Sequence, residues 1–160
     1  MKIRKALQGD FEHVLQIYAD ARKFMQEVGN PEQWGDVHPP VDLVLQDIER
    51  ELCYVCVTES GIIAVFYYNI EVDPTYGKID GRWLNDAPYG VVHRIAGKRN
   101  VPGVGTFCLQ WCLEQCQNLR IDTHKDNAPM LSLLDKLGFS YCGIIWREGG
   151  DERLAFQKCL

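Results

Sequence analysis

The spacing of hydrophobic and polar residues predicts alternating strands and helices along the chain. KIRKAL alternates like a strand, and Asp10 then provides an N-cap for the amphipathic helix FEHVLQIYADARKFMQEVG, which ends at Gly29. A loop with three prolines follows from Asn30 to Pro40, and VLQDIERE continues as a second helix. Two helices therefore separate the first strand from the rest of the sheet.

The rest of the chain predicts six more strands and two more helices. CYVCVTES and IIAVFYYNIEV flank Gly61 as a hairpin, and GVVHRIAG forms the next strand after a long connection at residues 73–90. The helix TFCLQWCLEQC, the strand LRIDTH and a helix from about Pro129 to Leu137 come next, and FSYCGIIW and RLAFQKC form a final hairpin. The order β-α-α-β-β-β-α-β-α-β-β predicts one mixed α/β (α+β) domain over residues 1–160, with helices on both faces of a buried sheet.

Composition narrows the class of partner. The chain has 17 Lys and Arg against 22 Asp and Glu, a net charge of −5, and its basic residues are scattered, which argues against nucleic acid and favours a small molecule. It has no apolar run long enough to cross a membrane, and MKIRKALQGD lacks a signal-peptide core. We expect a cytoplasmic protein without a membrane partner, either a monomer or a homodimer.

The seven cysteines are expected to be thiols without a metal. Their odd number does not suit a disulfide framework, and Cys53 and Cys56 lie in an alternating run that points them to opposite faces of a strand. Cys108, Cys112 and Cys116 share one helix face, but no histidine or further cysteine joins them. An apolar stripe packed on the sheet is the favoured interpretation.

Residues 99–107, RNVPGVGTF, bring a glycine-containing loop to the start of a helix. Backbone N–H groups from Gly103 to Thr106, with the helix dipole behind them, are suited to binding a phosphate. A glycine turn into a core helix fits the same residues equally well. The loop is neither a Walker loop, because no Gly-Lys-Ser/Thr follows, nor a dinucleotide fingerprint, because Cys108 stands where the third glycine belongs.

Together, VVHRIAG, VPGVG, LRIDTH and DNAPMLSLLDKLGF resemble the GNAT superfamily of acyl-CoA-dependent N-acetyltransferases over about residues 90–140. In that family a Gln/Arg-x-x-Gly-x-Gly/Ala loop binds the pyrophosphate of coenzyme A, and an Asn-x-x-Ala/Met-x-x-Leu-Tyr-x-x-x-Gly-Phe segment follows the next strand. The second segment is matched here by Asn127, Met130, Leu133, Gly138 and Phe139. The resemblance implies acetyl-CoA as cofactor and a mostly antiparallel sheet of six to seven strands.

Two departures from the family pattern bear on the site. Asn100 replaces the first Gln or Arg of the loop, with Arg99 beside it, and Leu134 replaces the tyrosine that in many relatives protonates the departing thiolate. The resemblance still implies that the pantetheine arm pairs with the strand before the loop. The residues it implies for coenzyme binding are Ile95, Ala96, Arg99, Asn100, Val101, Gly103, Val104, Gly105, Thr106 and Asn127.

Direct transfer of an acetyl group to an amine needs positioning and modest acid–base help, but no covalent enzyme intermediate. His93 and His124 are the candidate bases nearest the expected site, because imidazole titrates close to neutrality. Glu71 is a second candidate base, and Tyr141 is the candidate replacement acid. Structural histidines, a solvated carboxylate, a core aromatic and, for Asn127, a helix cap are the alternatives.

The acceptor pocket is expected between the loop from Met25 to Pro39 and the connection from Asp73 to Tyr89. Trp34, Tyr76 and Trp83 are possible walls. The acidic residues of the first loop that might attract an amine, or simply be solvated, are Glu27, Glu32 and Asp36. The predicted function is acetyl transfer from acetyl-CoA to a primary amine of a small molecule or peptide. A non-catalytic acyl-CoA-binding or sensory protein and a nucleotide-binding module are the alternatives.

Overall fold

The computed structural model of the chain describes residues 1–160 as eight strands and four helices. The strands are β1 (Lys2–Lys5), β2 (Cys53–Thr58), β3 (Gly61–Ile70), β4 (Asp80–Gly81), β5 (Gly90–Gly97), β6 (Asn118–Thr123), β7 (Ser140–Trp146) and β8 (Glu152–Cys159). The helices are α1 (Phe11–Glu27), α2 (Val41–Glu49), α3 (Val104–Cys116) and α4 (Ala128–Lys136). The predicted element order is confirmed. The eighth strand is β4, which lies in the long connection and is too short to produce a periodic signal.

The strands form one sheet in the order β1-β2-β3-β5-β6-β8-β7-β4. Every neighbouring pair is antiparallel except β5 and β6. The mixed, mostly antiparallel sheet is therefore confirmed, with eight strands instead of six to seven.

The single parallel pairing is short. Strands β5 and β6 pair only at Gly90 with Leu119 and at Val91 with Arg120. Beyond Val91 the two strands separate, so the second half of β5 has no strand partner on its β6 side. The sheet thus opens into a cleft along residues 92–97.

Helices cover both faces of the sheet, as predicted. Val14 of α1 and Val44 of α2 belong to one buried cluster, whereas Leu109 of α3 and Leu134 of α4 belong to another on the opposite face. The cysteines follow the same division: Cys53 lies in the first cluster, and Cys56, Cys108 and Cys112 lie in the second. The opposite-face interpretation of Cys53 and Cys56 and the packed stripe on α3 are both confirmed.

The predicted capping role of Asp10 is wrong. Asp10 occupies the N-cap position of α1, but its side chain makes no capping hydrogen bond. Its carboxylate accepts hydrogen bonds from the Leu7 amide (2.7 Å) and from the Arg4 guanidinium (2.7 and 3.1 Å). The stronger, charge-assisted partner therefore takes the carboxylate away from the helix end.

A β-bulge interrupts β5 beside the cleft. The register between β3 and β5 shifts between Val65 and Tyr67, and Arg94 has a φ of 51°, which is uncommon for a residue other than glycine. Tyr18 of α1 donates a hydrogen bond to the Arg94 carbonyl (2.8 Å), and the Arg94 guanidinium binds Asp47 of α2 (2.9 and 3.1 Å). Both contacts hold the unusual backbone in place, a feature found often at functional sites.

None of the four helices has the length and apolar character that a membrane crossing requires.

Candidate functional site

A groove of about 490 Å³ lies between α1, the second half of β5 and the start of α4. We call it the α1–β5 groove. Its α1 wall is largely apolar and includes Ile17, Phe24 and Met25. The residues expected to bind the coenzyme that line this groove are Ile95, Ala96, Arg99, Asn100, Val101 and Asn127.

The four other expected coenzyme residues form the start of α3, next in the chain after the groove. Gly103 is the N-cap with a φ of 79°, and Val104, Gly105 and Thr106 form the first turn of the helix. The amide N–H groups of these first-turn residues have no acceptor within the protein. A helix N-terminus with free amides is suited to binding an anion.

The two glycines of the loop serve different purposes. A Cβ at Gly103 would meet no atom within 4 Å, so glycine is favoured there by its positive φ and not by crowding. A Cβ at Gly105 would lie 2.8 Å from Cδ2 of Leu133, which lines the groove from α4. Gly105 therefore allows α3 and α4 to pack closely.

Asn127 connects the groove to the loop that follows α1. Its Oδ1 accepts a hydrogen bond from the Met130 amide (3.2 Å), which confirms the helix-cap interpretation. Its Nδ2 donates to Oε1 of Gln33 (2.8 Å), which also accepts from Nδ2 of Asn30 (2.7 Å). These amides fix the loop against the N-terminus of α4.

A second cavity of about 200 Å³, the His93 pocket, adjoins the groove. The two cavities share Met25, Ile95, Asn127 and Met130 as lining residues. The expected walls contribute in part: Trp34 comes from the loop after α1, and Asp73 and Thr75 come from the connection before β5. Tyr76 and Trp83, the two other expected walls, do not line the pocket. The Tyr76 hydroxyl donates to Asp122 (2.6 Å), and the Trp83 indole donates to the Tyr76 carbonyl (2.9 Å).

His93 and Asp73 form a hydrogen-bonded pair inside this pocket. Nε2 of His93 lies 2.6 Å from Oδ2 of Asp73, and Oδ1 of Asp73 accepts from the amide and hydroxyl of Thr75 (2.9 and 2.7 Å). Burial alone would raise the pKa of Asp73, but the hydrogen bonds from His93 and Thr75 outweigh it and lower the pKa to about 2. The Asp73 carboxylate is therefore ionised at neutral pH.

The structure places the three other candidate catalytic residues outside both cavities. His124 is buried, and its Nδ1 accepts from the Asp126 amide (3.0 Å). Glu71 accepts from the Tyr67 hydroxyl (2.6 Å). Tyr141 is 57% exposed and packs edge-to-face on Phe156.

Neither Leu134 nor the acidic residues of the first loop line the His93 pocket. Leu134, which replaces the family tyrosine, is fully buried on the core side of α4 and lines neither cavity. The acidic residues of the first loop also lie outside the His93 pocket. Glu27 pairs with Arg99 (3.0 Å), and Asp36 accepts from Gln26 (2.8 Å).

Arginines, which the sequence did not single out, line the His93 pocket instead. They are Arg94, Arg147 and Arg153, from β5, the β7–β8 turn and β8. His38, which lines the same pocket, has its pKa lowered to about 4 by burial and by the positive charges of Arg147, Arg94, Arg153 and Arg22. The pocket thus combines a carboxylate–imidazole pair with a cationic wall.

Comparison with known proteins identifies acetyltransferases. No protein-family model matches the chain. A curated protein of Bacillus subtilis (strain 168), S-(2-succino)cysteine N-acetyltransferase, is 30% identical over 136 residues, which covers 82% of this chain and 72% of that protein.

Solved structures show the same architecture. A GNAT-family acetyltransferase from Streptococcus agalactiae 2603 superimposes with a TM-score of 0.91 at 28% identity, covering 99% of this chain and 95% of that one. A GNAT-superfamily phosphinothricin acetyltransferase from Sinorhizobium meliloti, solved in complex with AcCoA, has a TM-score of 0.68 at 15% identity. It covers 99% of this chain and 88% of that one, and at this identity it shows the fold alone.

Proposed function

The chain belongs to the GNAT family of acetyltransferases, and from that premise we propose that it moves an acetyl group from acetyl-CoA to a primary amine of a small molecule or peptide. The observation that carries the proposal is the junction of two cavities. The α1–β5 groove is lined by Val101 and Leu133, which lie next to the free amides at the start of α3 in the chain and in space respectively. The groove also adjoins a pocket that holds a hydrogen-bonded His93–Asp73 pair.

The groove fits the elongated coenzyme. The edge of β5 at Ile95 and Ala96 faces the opening between β5 and β6, where the backbone is available to a pantetheine arm. The amides of Val104 to Thr106 would hold the diphosphate, and Lys98, which forms no ion pair within the protein, adds positive charge to the lining of the groove. Acetyl-CoA supplies a thioester, which is the activated acetyl group that the reaction requires.

His93 is our candidate general base. A protonated amine must lose one proton before its nitrogen can attack a carbonyl carbon, and a neutral imidazole accepts that proton directly or through water. Asp73 is the positioning residue, because its ionised carboxylate bonds one ring nitrogen of His93 and leaves the other to face the acceptor. The amine nitrogen forms the new C–N bond while the C–S bond of the thioester breaks.

Acetyl transfer at this site requires no tyrosine as a general acid. An ordinary thiol has a pKa of about 8.5, so a thiolate is a competent leaving group near neutral pH. With Leu134 buried in the core, the departing sulfur is protonated by solvent. Tyr141 as a general acid stays a prediction from the sequence, and acetyl transfer by this route does not require it.

The test follows release of coenzyme A thiol from acetyl-CoA across a panel of primary amines. S-(2-succino)cysteine belongs in the panel because a relative is named for its acetylation. We expect at least one acceptor to raise thiol release well above hydrolysis. Failure of the whole panel would contradict the proposed reaction.

A pair of variants tests the base. His93→Ala is expected to lower turnover about 100-fold or more while acetyl-CoA affinity stays unchanged. His124→Ala is the matched control, because that histidine lies outside both cavities, and it should retain turnover. Loss of turnover in the control but not in His93→Ala would reject this choice of base.

A non-catalytic acyl-CoA-binding protein is the second candidate function. The burial of Leu134 where many relatives have a catalytic tyrosine favours it. Saturable coenzyme binding without turnover across the amine panel would select this alternative. The cytoplasmic location stays a prediction from the sequence.

A further inference from the structure

The His93 pocket contains two guanidinium groups that have no carboxylate partner in the protein. Arg153 is only 3% exposed, and its hydrogen bonds go to the backbone carbonyls of Gln33 (3.1 Å) and Glu152 (2.9 Å). Arg147 makes no side-chain hydrogen bond, and neither arginine forms an ion pair. Arg94, in contrast, is neutralised by Asp47.

A buried guanidinium without an anion is costly, so its presence in a cavity calls for a partner from outside the chain. Burial of an unpaired charge is unfavourable, and a carboxylate matches the planar guanidinium fork with two parallel hydrogen bonds. Burial, the largest cause, and the positive charge of Arg147 lower the pKa of Arg153, although Asp122 and Asp151 act in the opposite direction. A ligand anion would relieve both effects.

The pocket also has an acidic side. Asp73 bonds His93, and Asp122 accepts from the Tyr76 hydroxyl while lining the same cavity. A cavity of about 200 Å³ is smaller than typical drug-sized sites of roughly 300–1,000 Å³ and so suits a compact ligand. Carboxylates near the base and guanidinium groups elsewhere in the pocket are complementary to a molecule that carries both an amine and an acid.

We propose that the acceptor is a compact amino acid, or another primary amine that bears a carboxylate, and that Arg153 and Arg147 bind this carboxylate while the amine faces His93. This inference rests on the proposed function, because it names the acceptor of the same site. Arg153 and Arg147 would then determine substrate specificity, whereas His93, positioned by Asp73, acts on the amine.

The experiment compares amino acids with amines that differ only in lacking the carboxylate. Suitable pairs are methionine with 3-(methylthio)propylamine and phenylalanine with 2-phenylethylamine, with S-(2-succino)cysteine as an additional acid. Binding to the coenzyme A-loaded protein is measured by calorimetry, and acetylation is measured by thiol release. We expect at least one amino acid to bind with a Kd about 10-fold or more below that of the matched amine.

Variants then locate the carboxylate. Arg147→Met should raise KM for the amino acid about 10-fold or more and leave kcat nearly unchanged, because the lost contact contributes to substrate binding. Arg153→Lys keeps the charge without the fork and should weaken acid binding less than Arg153→Met, with coenzyme A binding as the check of folding. Arg82→Met is the matched control, because Arg82 is exposed and lines neither cavity.

The outcomes separate this inference from the proposed function. Equal binding of acids and matched amines, no binding of any acid, or unchanged acid binding in Arg147→Met and Arg153→Met would overturn the inference. In the first case, acetylation of the plain amines would leave the proposed function standing. Carboxylate-dependent binding without any turnover would support the inference about recognition and would refute acetyl transfer.

Discussion

Gly103→Val tests the physical basis of the proposed coenzyme site. Gly103 has a φ of 79° and forms the N-cap of α3, directly before the amides of Val104, Gly105 and Thr106. Valine adopts this left-handed conformation poorly, because its Cβ approaches the following carbonyl oxygen. The variant must either hold a strained backbone or rotate the free amides away from their present direction.

The expected loss of stability in Gly103→Val follows from the local geometry. The left-handed conformation costs a residue with a Cβ about 1–2 kcal/mol, and the loss of glycine's freedom in the unfolded chain offsets about 0.4–1 kcal/mol of this. The space around Gly103 is open, with nothing within 4 Å of an added Cβ, so no clash adds to the cost. We expect a net destabilisation of about 1 kcal/mol, or a decrease in Tm of about 2–4 °C.

Coenzyme affinity should fall more steeply than stability. One charge-assisted hydrogen bond contributes about 1.5–3 kcal/mol, so misplacing one amide predicts a loss of about 10- to 100-fold in affinity. Urea unfolding gives the stability, and calorimetric titration with coenzyme A gives the affinity. Gly103→Asn is the matched control, because asparagine tolerates positive φ and should retain more of both. Native stability and native affinity in Gly103→Val would refute the reasoning.

Two other predictions concern the buried Leu134 of α4 and the Asp73 carboxylate of the His93 pocket. Leu134→Tyr should destabilise the protein by about 2–5 kcal/mol, since it adds volume and an unpaired hydroxyl to a fully buried site, and it should not raise turnover. Urea unfolding checks this against Ser132→Tyr on the exposed side of α4, and a stable, faster Leu134→Tyr would contradict it. The pKa of Asp73 is lowered from 3.8 to about 2, so its contribution to stability is present above about pH 4 and is lost as pH falls toward 2. Unfolding from pH 5 to pH 2 should therefore show a steeper loss for the native protein than for Asp73→Asn, and parallel curves would contradict this assignment.

The sequence predicted the sheet and helices because their burial follows simple periods. Alternation in CYVCV placed Cys53 and Cys56 on opposite faces, and the structure puts them in different core clusters. The two-residue strand β4 was missed, because Asp80 and Gly81 are held by pairing with β7 and not by a pattern of their own. The N-cap role of Asp10 failed because Arg4, six residues earlier, competes for the same carboxylate.

The two halves of the site differed in how far local sequence could reveal them. The glycine-containing loop at residues 99–107 is one contiguous segment, so its glycines and the helix after it were recognisable. The His93 pocket draws Asp73, Arg94, Arg147 and Arg153 from four separate segments. No local spacing joins these residues, and the acidic loop residues that did stand out, such as Glu27, face elsewhere.

A crystal structure of the protein with coenzyme A tests the central claim most directly. The account predicts the pantetheine arm in the α1–β5 groove beside Ile95 and Ala96. It also predicts diphosphate oxygens within about 3.2 Å of the amide nitrogens of Val104 to Thr106. A coenzyme bound elsewhere, or a diphosphate that leaves those amides without contact, would contradict it.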